Sequence, residues 1–232
     1  MNNNSLKTLF PSVPLSDDAE RYFDQIKYFQ EMMMRFQCAI LEVETKLQVL
    51  NNDMSVRHNR NPIEFIKSRI KKPTSIAEKL KRRGLEITID NMMSELNDVA
   101  VIRVICSFID DIYEIAEMLA SQDDITVIEI KDYIKNPKPT GYRSYHMIVE
   151  IPVFFSDKAM NMRVEVQIRT IAMDFWASLE HDLKYKNEGG NTDEIRQELY
   201  ECAKTINDTD LRMQKIRDKV EATVPDDNES EK

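Results

Sequence analysis

The sequence has little glycine: 4 of 232 residues, at positions 84, 141, 189 and 190. Gly-rich phosphate cradles need several glycines at fixed offsets, so a P-loop and a GxGxxG turn are both excluded. A chain of this kind that handles nucleotides must hold their phosphates with side chains. Cysteine is equally sparse. Cys38, Cys106 and Cys202 are far apart, odd in number and form no CxxC pair, and the chain has 3 histidines. A disulfide scaffold and a Cys/His zinc site are not expected. Cys106 and Cys202 fall in apolar patterns and read as buried reduced thiols. No segment approaches the ~18 apolar residues of a membrane span. The opening MNNNSLKTLF carries no apolar stretch of signal-peptide length. The chain reads as cytoplasmic, with no membrane partner.

Basic charge is also in deficit, 32 Lys and Arg against 41 Asp and Glu, a net −9. An acidic chain is a poor general binder of nucleic acid. The average conceals a local excess. From Arg57 to Arg83 ten Lys/Arg face only Glu64 and Glu78, a segment of 10 − 2 = +8.

Periodicity divides the chain. Ile26, Phe29, Met33, Phe36, Ile40, Val43, Leu47 and Leu50 recur at steps of three and four, one stripe on a long helix. Ile195, Leu199, Cys202, Ile206, Met213, Ile216 and Val220 repeat the pattern near the C-terminus. Core packing and a subunit interface are both open for these stripes. Asn61-Pro62 reads as a helix start, with Pro73 ending that helix. Ser75 and Glu78 have capping-box spacing for another helix through Arg83, with Gly84 as its stop. Strands are expected at Val99–Cys106, Ile125–Ile130, Ser144–Ile151 (stopped by Pro152) and Met162–Arg169. A helix is expected near Ile112–Leu119 and another around Trp176, Leu179 and Leu183. The fold class is α/β (α+β), a small mixed sheet inside helical ends. The regions are 1–56 (helical), 57–187 (central domain), 188–222 (helical) and 223–232 (an acidic, disordered tail).

The chemistry concentrates in a few places. In Met162–Arg169, Met162, Val164, Val166 and Ile168 face one way, and Arg163, Glu165, Gln167 and Arg169 the other. This is either a solvated charged face or a polar cleft floor on a rigid strand. Asp98 precedes an apolar strand, where a carboxylate must be solvated, paired or bound to metal. Mg²⁺ takes one or two carboxylates plus phosphate oxygens, and Asp98 and Glu165 on adjacent strands would suit it. Asp98 and Arg103 are five apart, so one of them must lie at the strand edge or beyond a bulge. The loop Pro137–Ser144 presents Lys138, Tyr142 and Arg143, an aromatic with flanking cations suited to a base and its phosphates. Lys71, Lys72 and Lys79 surround a helix N-terminus, which favours phosphate, and Arg69 adds a planar fork.

Taken together, these residues resemble the synthetase domain of the RelA/SpoT homologue family over roughly 57–187. The resemblance rests on five ordered motifs: Arg69-Ile-Lys71 with Ser75 and Lys79; Asp98-Val-Ala-Val-Ile-Arg103; Lys138-Pro-Thr-Gly-Tyr142; Arg143-Ser-Tyr-His146; and Glu165-Val-Gln-Ile-Arg-Thr170. His181-Asp182 follows these motifs and is not read as the family's hydrolase. The length matches a small alarmone synthetase without a hydrolase half. The resemblance implies a nucleotidyltransferase-like sheet of about five strands and transfer of pyrophosphate from ATP to the 3′-hydroxyl of GDP or GTP. It implies Arg69 and Arg103 around the adenine, and Lys71, Ser75 and Lys79 on the ATP phosphates. It implies Asp98 and Glu165 on Mg²⁺, with Glu165 also activating the hydroxyl. Tyr142 would stack on guanine, with Lys138, Arg143, His146 and Gln167 nearby. A homotetramer is implied, and RNA is left open as a regulator. Thr140 and Glu129-Ile-Lys131-Asp132 depart from the family pattern and leave the choice between GDP and GTP open. A nucleotidyltransferase with another acceptor and a non-catalytic nucleotide or RNA binder are the alternatives.

Overall fold

The structure is a computed structural model that describes residues 17–58, 60–186 and 192–223; the acidic tail beyond Thr223 lies outside the described residues. The described residues fall into two compact units, divided between Arg35 and Phe36. Helix α1 (Asp17–His58) passes from the first into the second. It is followed by β1 (Ile63–Ile70), α2 (Pro73–Arg82), α3 (Ile89–Glu95), β2 (Ala100–Cys106), α4 (Ile109–Ala120), β3 (Thr126–Asp132), β4 (Tyr145–Phe154), β5 (Ala159–Thr170), α5 (Ile171–Lys186) and α6 (Thr192–Glu221).

The sheet has five strands in the order β1-β2-β5-β4-β3. β2 and β5 run parallel, and every other pair is antiparallel. The mixed, helix-flanked sheet agrees with the fold class expected from the pattern. β5 explains its own centrality. Met162, Val164, Val166 and Ile168 are all fully buried, so period 2 gives this strand one wholly apolar face. Ile112, Ile115 and Leu119 bury the apolar stripe of α4.

Four local expectations are corrected. The segment after Asn61-Pro62 is strand β1, not a helix. Ile63, Ile66 and Ile70 fall at helical spacing and still share one face of the strand because a bulge lies between Ile63 and Phe65. The bulge shifts the strand's alternation by one, which mimics steps of three and four. Helix α2 starts earlier than the Ser75 capping pattern suggests: Lys72 is the N-cap without a side-chain cap and Pro73 is the first helical residue. Proline suits that position because its missing N–H is unpaired there in any helix. The Gly84 stop holds: φ is 72°, and Gly84 and Leu85 N–H donate to the Lys81 and Leu80 carbonyls, a Schellman ending. Pro152 does not stop β4, which continues to Phe154. β3 reaches only as far as Glu150 along β4, so beyond it one flank of β4 is an edge and tolerates proline. Cys202 is exposed rather than buried, whereas Cys106 is buried. The residue of α6 that enters the core is its neighbour, Ala203.

Helix α6 docks at two places. Trp176, Ala177 and Ala203 form a buried cluster that Tyr142, Leu199 and Ile206 complete, and the Trp176 indole donates to the Leu199 carbonyl at 2.9 Å. Nearer its end, Arg217 lies over the Phe108 ring at 4.9 Å and pairs with Asp110 at the N-terminus of α4. Burial pushes the Asp110 carboxyl up, but the bonds from Arg217 and Gln214 outweigh it and hold it below its ordinary value. A depressed folded pKa stabilises above the unfolded value, about 3.9, and that part is lost as pH falls through the folded value. Arg217→Gln is therefore expected to unfold at lower denaturant than the parent at pH 7, with the two proteins converging as pH falls below about 4. A gap that persists at acid pH would show that Arg217 acts by packing on Phe108 alone.

Candidate active site

The strand register assembles the site. Residues directly opposite across a sheet share a face. One rung runs Lys67–Arg103–Gln167–His146–Lys131, and the next runs Arg69–Val101–Glu165–Ile148–Glu129. Five strands thus bring their polar side chains to the face opposite the apolar core face of β5. That resolves the two readings of Glu165-Val-Gln-Ile-Arg169. Gln167 and Arg169 are buried and the Glu165 side chain is 14% exposed, so this is a cleft floor and not a solvated face. The bulge in β1 matters here, because it turns Lys67 and Arg69 onto the same side as Arg103.

Asp98 lies just before β2 begins, which settles its parity with Arg103. The backbone bond from Lys71 N to the Val99 carbonyl, 2.8 Å, ties the end of β1 to this position. Lys71 Nζ and Lys79 Nζ meet Asp98 Oδ2 at 2.6 and 2.7 Å. Burial opposes ionisation of Asp98, but the two ammonium groups prevail and hold its carboxyl below the ordinary value. Ser75 is in the first turn of α2 and half-buried. Not all of the +8 segment contributes. Arg57 pairs with Asp53 at 2.7 Å within α1, and Arg60 pairs with Asp111 on α4.

The other half of the site is one hydrogen-bonded chain. Arg169 Nη2 donates to the Tyr142 hydroxyl at 2.6 Å. Tyr142 meets His146 Nε2 at 2.8 Å, and His146 Nδ1 meets Glu165 Oε1 at 3.0 Å. Burial, with Arg169 and Lys138 nearby, keeps the His146 pKa low despite Glu165. The neutral tautomer with the proton on Nδ1 satisfies both ends: Tyr142 donates to Nε2 and Nδ1–H donates to Glu165. Burial pushes the Glu165 carboxyl up, but hydrogen bonds from His146 and Gln167 hold it below the ordinary range. Lys138 Nζ sits over the Tyr133 and Tyr142 rings at 4.5 and 4.7 Å, and burial lowers its pKa.

The loop before Tyr142 needs its glycine. Gly141 has φ +87°, and a Cβ there would lie 2.5 Å from the Ala203 Cβ of α6. Arg143 is not brought to the cleft with Tyr142. It turns to α6, where Nη1 donates to the Ala203 carbonyl at 3.2 Å, so its position in this structure is that of a loop anchor. Sequence reasoning missed Asp174 and Tyr133, and it left Arg169 without a role. Arg169 shared the parity of Glu165, which was a usable signal. Asp174, in the first turn of α5, had none.

The donor set fits a hard dication held jointly with phosphate. Among the described residues no group of three or more His, Cys, Asp and Glu could cage a metal. Asp98 Oδ1, however, is buried with no hydrogen-bond partner, and Glu165 is near enough to feel the Asp98 charge. Two carboxylates and no cage are what Mg²⁺ asks of a protein when a nucleotide supplies the other oxygens. No helix among the described residues is long and apolar enough to cross a membrane.

Known proteins resemble this chain in sequence and fold. A family profile described as "Region found in RelA / SpoT proteins" matches residues 68–190. The chain is 40% identical over 210 residues to GTP pyrophosphokinase YwaC of Bacillus subtilis, covering 90% of this chain and 99% of that protein. It is 33% identical to GTP pyrophosphokinase YjbM of the same organism, covering 84% and 91%. The crystal structure of small alarmone synthetase 1 from Bacillus subtilis bound to its product pppGpp superposes with a TM-score of 0.76 at 34% identity, covering 84% of this chain and 98% of that one. The profile covers the end of β1 and all of β2 to β5, and the likeness extends along nearly the whole length of each relative; the chain belongs to the RelA/SpoT family.

Proposed function

We propose that this protein is a (p)ppGpp synthetase: it transfers the pyrophosphoryl group of ATP to the 3′-hydroxyl of GDP or GTP and releases AMP. The observation that carries this reading is the meeting of two carboxylates, Asp98 and Glu165, with a pair of lysines on one side and a Tyr–His–carboxylate chain on the other. Phosphoryl transfer depends on positioning and charge neutralisation more than on covalent chemistry by the protein. Lys71 just before α2, Ser75 in its first turn and Lys79 in its last turn would take the ATP phosphates. This exchanges the Asp98 carboxylate for phosphate as the lysines' partner. Arg69 and Arg103, diagonal neighbours on β1 and β2, would flank the adenine. Tyr142 would stack on the guanine, with Lys138, His146 and Gln167 around it, and Arg143 would hold the loop from behind. Glu165, ionised and oriented by His146, would accept the proton of the 3′-hydroxyl as it attacks the β-phosphorus. Asp98 and Glu165 would hold a magnesium ion, which when bound would neutralise charge on the transferred phosphate oxygens.

A cytoplasmic setting, where ATP and GTP are abundant and thiols stay reduced, suits this chemistry and three cysteines of which none is in a disulfide. A homotetramer draws support from α5, where Ile171, Phe175, Leu179 and Leu183 are exposed at four-residue spacing, one apolar stripe along one helix. The test is a reaction of ATP with GDP, GTP or neither, in Mg²⁺. AMP and a 3′-pyrophosphorylated guanosine nucleotide are expected only when the acceptor is present. AMP without acceptor dependence would point to another acceptor, and no AMP under any condition would favour a binder.

A further inference from the structure

Arg169 uses all three guanidinium nitrogens. Nε donates to Ser144 Oγ at 3.1 Å, Nη1 to Asp174 Oδ1 at 3.1 Å, and Nη2 to the Tyr142 hydroxyl at 2.6 Å and Gln167 Oε1 at 3.0 Å. Its side chain is 5% exposed, so no solvent competes for these bonds. Asp174 Oδ1 also pairs with Arg103 Nη1, again at 3.1 Å. One carboxylate oxygen from α5 therefore lies between a guanidinium of β2 and a guanidinium of β5. Two like charges held this close in a poorly solvated cleft repel unless an anion separates them. With Asp174 in place they take one fixed spacing.

We propose that Arg169 and Asp174 are positioning residues that couple the two nucleotide half-sites, Asp174 tying the donor-side Arg103 to the acceptor-side Tyr142 and Gln167 through Arg169. This rests on the synthetase reading above. The chemistry needs such a link. The attacking hydroxyl must sit ~3–3.5 Å from the phosphorus, and a misplacement of ~1 Å can cost ~10²-fold. The acceptor base is gripped on the β4 side of the sheet and the donor base on the β1 side, so their separation is set by whatever joins the two grips. The joint is rigid because Arg presents its donors in a planar fork and α5 follows β5 without a break, Thr170 ending one and Ile171 starting the other. The Thr170 hydroxyl accepts from Met173 N at 3.1 Å, which fixes the first turn of α5 and with it Asp174.

The experiment uses the full chain as parent, Asp174→Asn and Arg169→Lys. Calorimetry gives the dissociation constants of a non-hydrolysable ATP analogue and of GDP, each alone, and AMP release gives kcat and both KM values. Asp174→Asn is expected to weaken both nucleotides about tenfold, although the donor and acceptor are absent from one another's titrations. Arg169→Lys is expected to weaken GDP about tenfold and the ATP analogue less, since Lys keeps the charge but cannot reach Tyr142, Gln167, Ser144 and Asp174 together. The emission of Trp176, the single tryptophan and two residues from Asp174, should stay at the parent wavelength. Asp174→Asn with a lowered melting temperature but parental affinity for either nucleotide would overturn the coupling and leave a structural role. Should Asp174→Asn unfold, Arg169→Lys decides alone, and equal losses for both nucleotides would overturn the proposal. A parent that binds both nucleotides without making AMP overturns the synthetase reading, with the coupling still decided by the binding ratios. A parent that binds neither overturns both.

Discussion

Glu165→Gln is expected to slow AMP release by about 10²–10⁴-fold while the melting temperature and both nucleotide affinities stay close to the parent values. Gln fills the same volume on β5, and its amide oxygen can still accept the His146 Nδ1–H that now reaches Glu165 at 3.0 Å. What disappears is the charge: the group that would accept the hydroxyl proton and one of the two carboxylates that would hold the dication. The rest of the cleft does not depend on it, since Arg169 fixes Tyr142 and Gln167 by its own bonds. The pH dependence has a definite sign. A base must be ionised, and Glu165 is held below the ordinary range, so the acid limb of kcat/KM should lie below about pH 4.3 and move up when His146 is replaced by Phe. Parental turnover by Glu165→Gln would remove the residue from the mechanism.

Gly141→Ala is expected to lose affinity for the guanosine nucleotide by tenfold or more, an energy of about 1.4 kcal/mol or above, with ATP binding little changed. Two effects add. An alanine at φ +87° carries the left-handed penalty of roughly 1–2 kcal/mol. Its Cβ would also meet the Ala203 Cβ at 2.5 Å and the Tyr200 ring at 3.4 Å, so either the loop or α6 must retreat. The loop carries Lys138 and Tyr142 with it, whereas Lys71, Lys79 and Arg69 lie across the sheet and stay put. The second variant separates the causes. Gly141→Ala with Ala203→Gly removes the clash with Ala203 but not the φ penalty, and should recover the part of the lost affinity that comes from that contact. If the double variant is as weak as the single one, backbone strain and not contact with α6 governs the loop. A Gly141→Ala protein with parental KM for GDP and GTP would show that the loop does not hold the acceptor.

The two residues tested above were legible to different degrees. Glu165 announced itself through alternation: four apolar residues in phase and four polar ones out of phase on a single segment permit only one pair of faces. Which polar face was a cleft and which a solvated surface depended on neighbours that periodicity does not contain. Gly141 stood out as one of few glycines, yet its reason lay in Ala203, far along the chain on α6. The wrong helix at 62–72 has a comparable origin. Asn61-Pro62 has the local chemistry of a helix start, and the bulge in the strand that follows interrupts the period-2 alternation that would have marked it as a strand. The proline stop at 152 failed because an edge is a property of the sheet, fixed by how far β3 reaches, and not of β4. Cys202 read as buried because a stripe at helical spacing names a face only to within one residue, and Ala203 took the core side.

The sequence by itself determined the chemistry available to this protein. With 4 glycines and a net −9 it excluded a glycine cradle and a general nucleic-acid surface, and it placed cations, a Tyr-bearing loop and two acids in an order that one family shares. Tertiary structure decided which of them meet. Only strand pairing could set β2 beside β5 and so bring Asp98 to Glu165, and only the fold could give Arg60 to Asp111 on α4 while Lys71 and Lys79 close on Asp98. Asp174 shows the limit most plainly. An aspartate in the first turn of a helix is ordinary by composition and by capping preference, and it becomes the anion between Arg103 and Arg169 because parallel strands deliver both guanidiniums to its oxygen. Contacts between residues distant in sequence carry no local signature, since the free energy that selects them comes from packing and desolvation across the whole sheet.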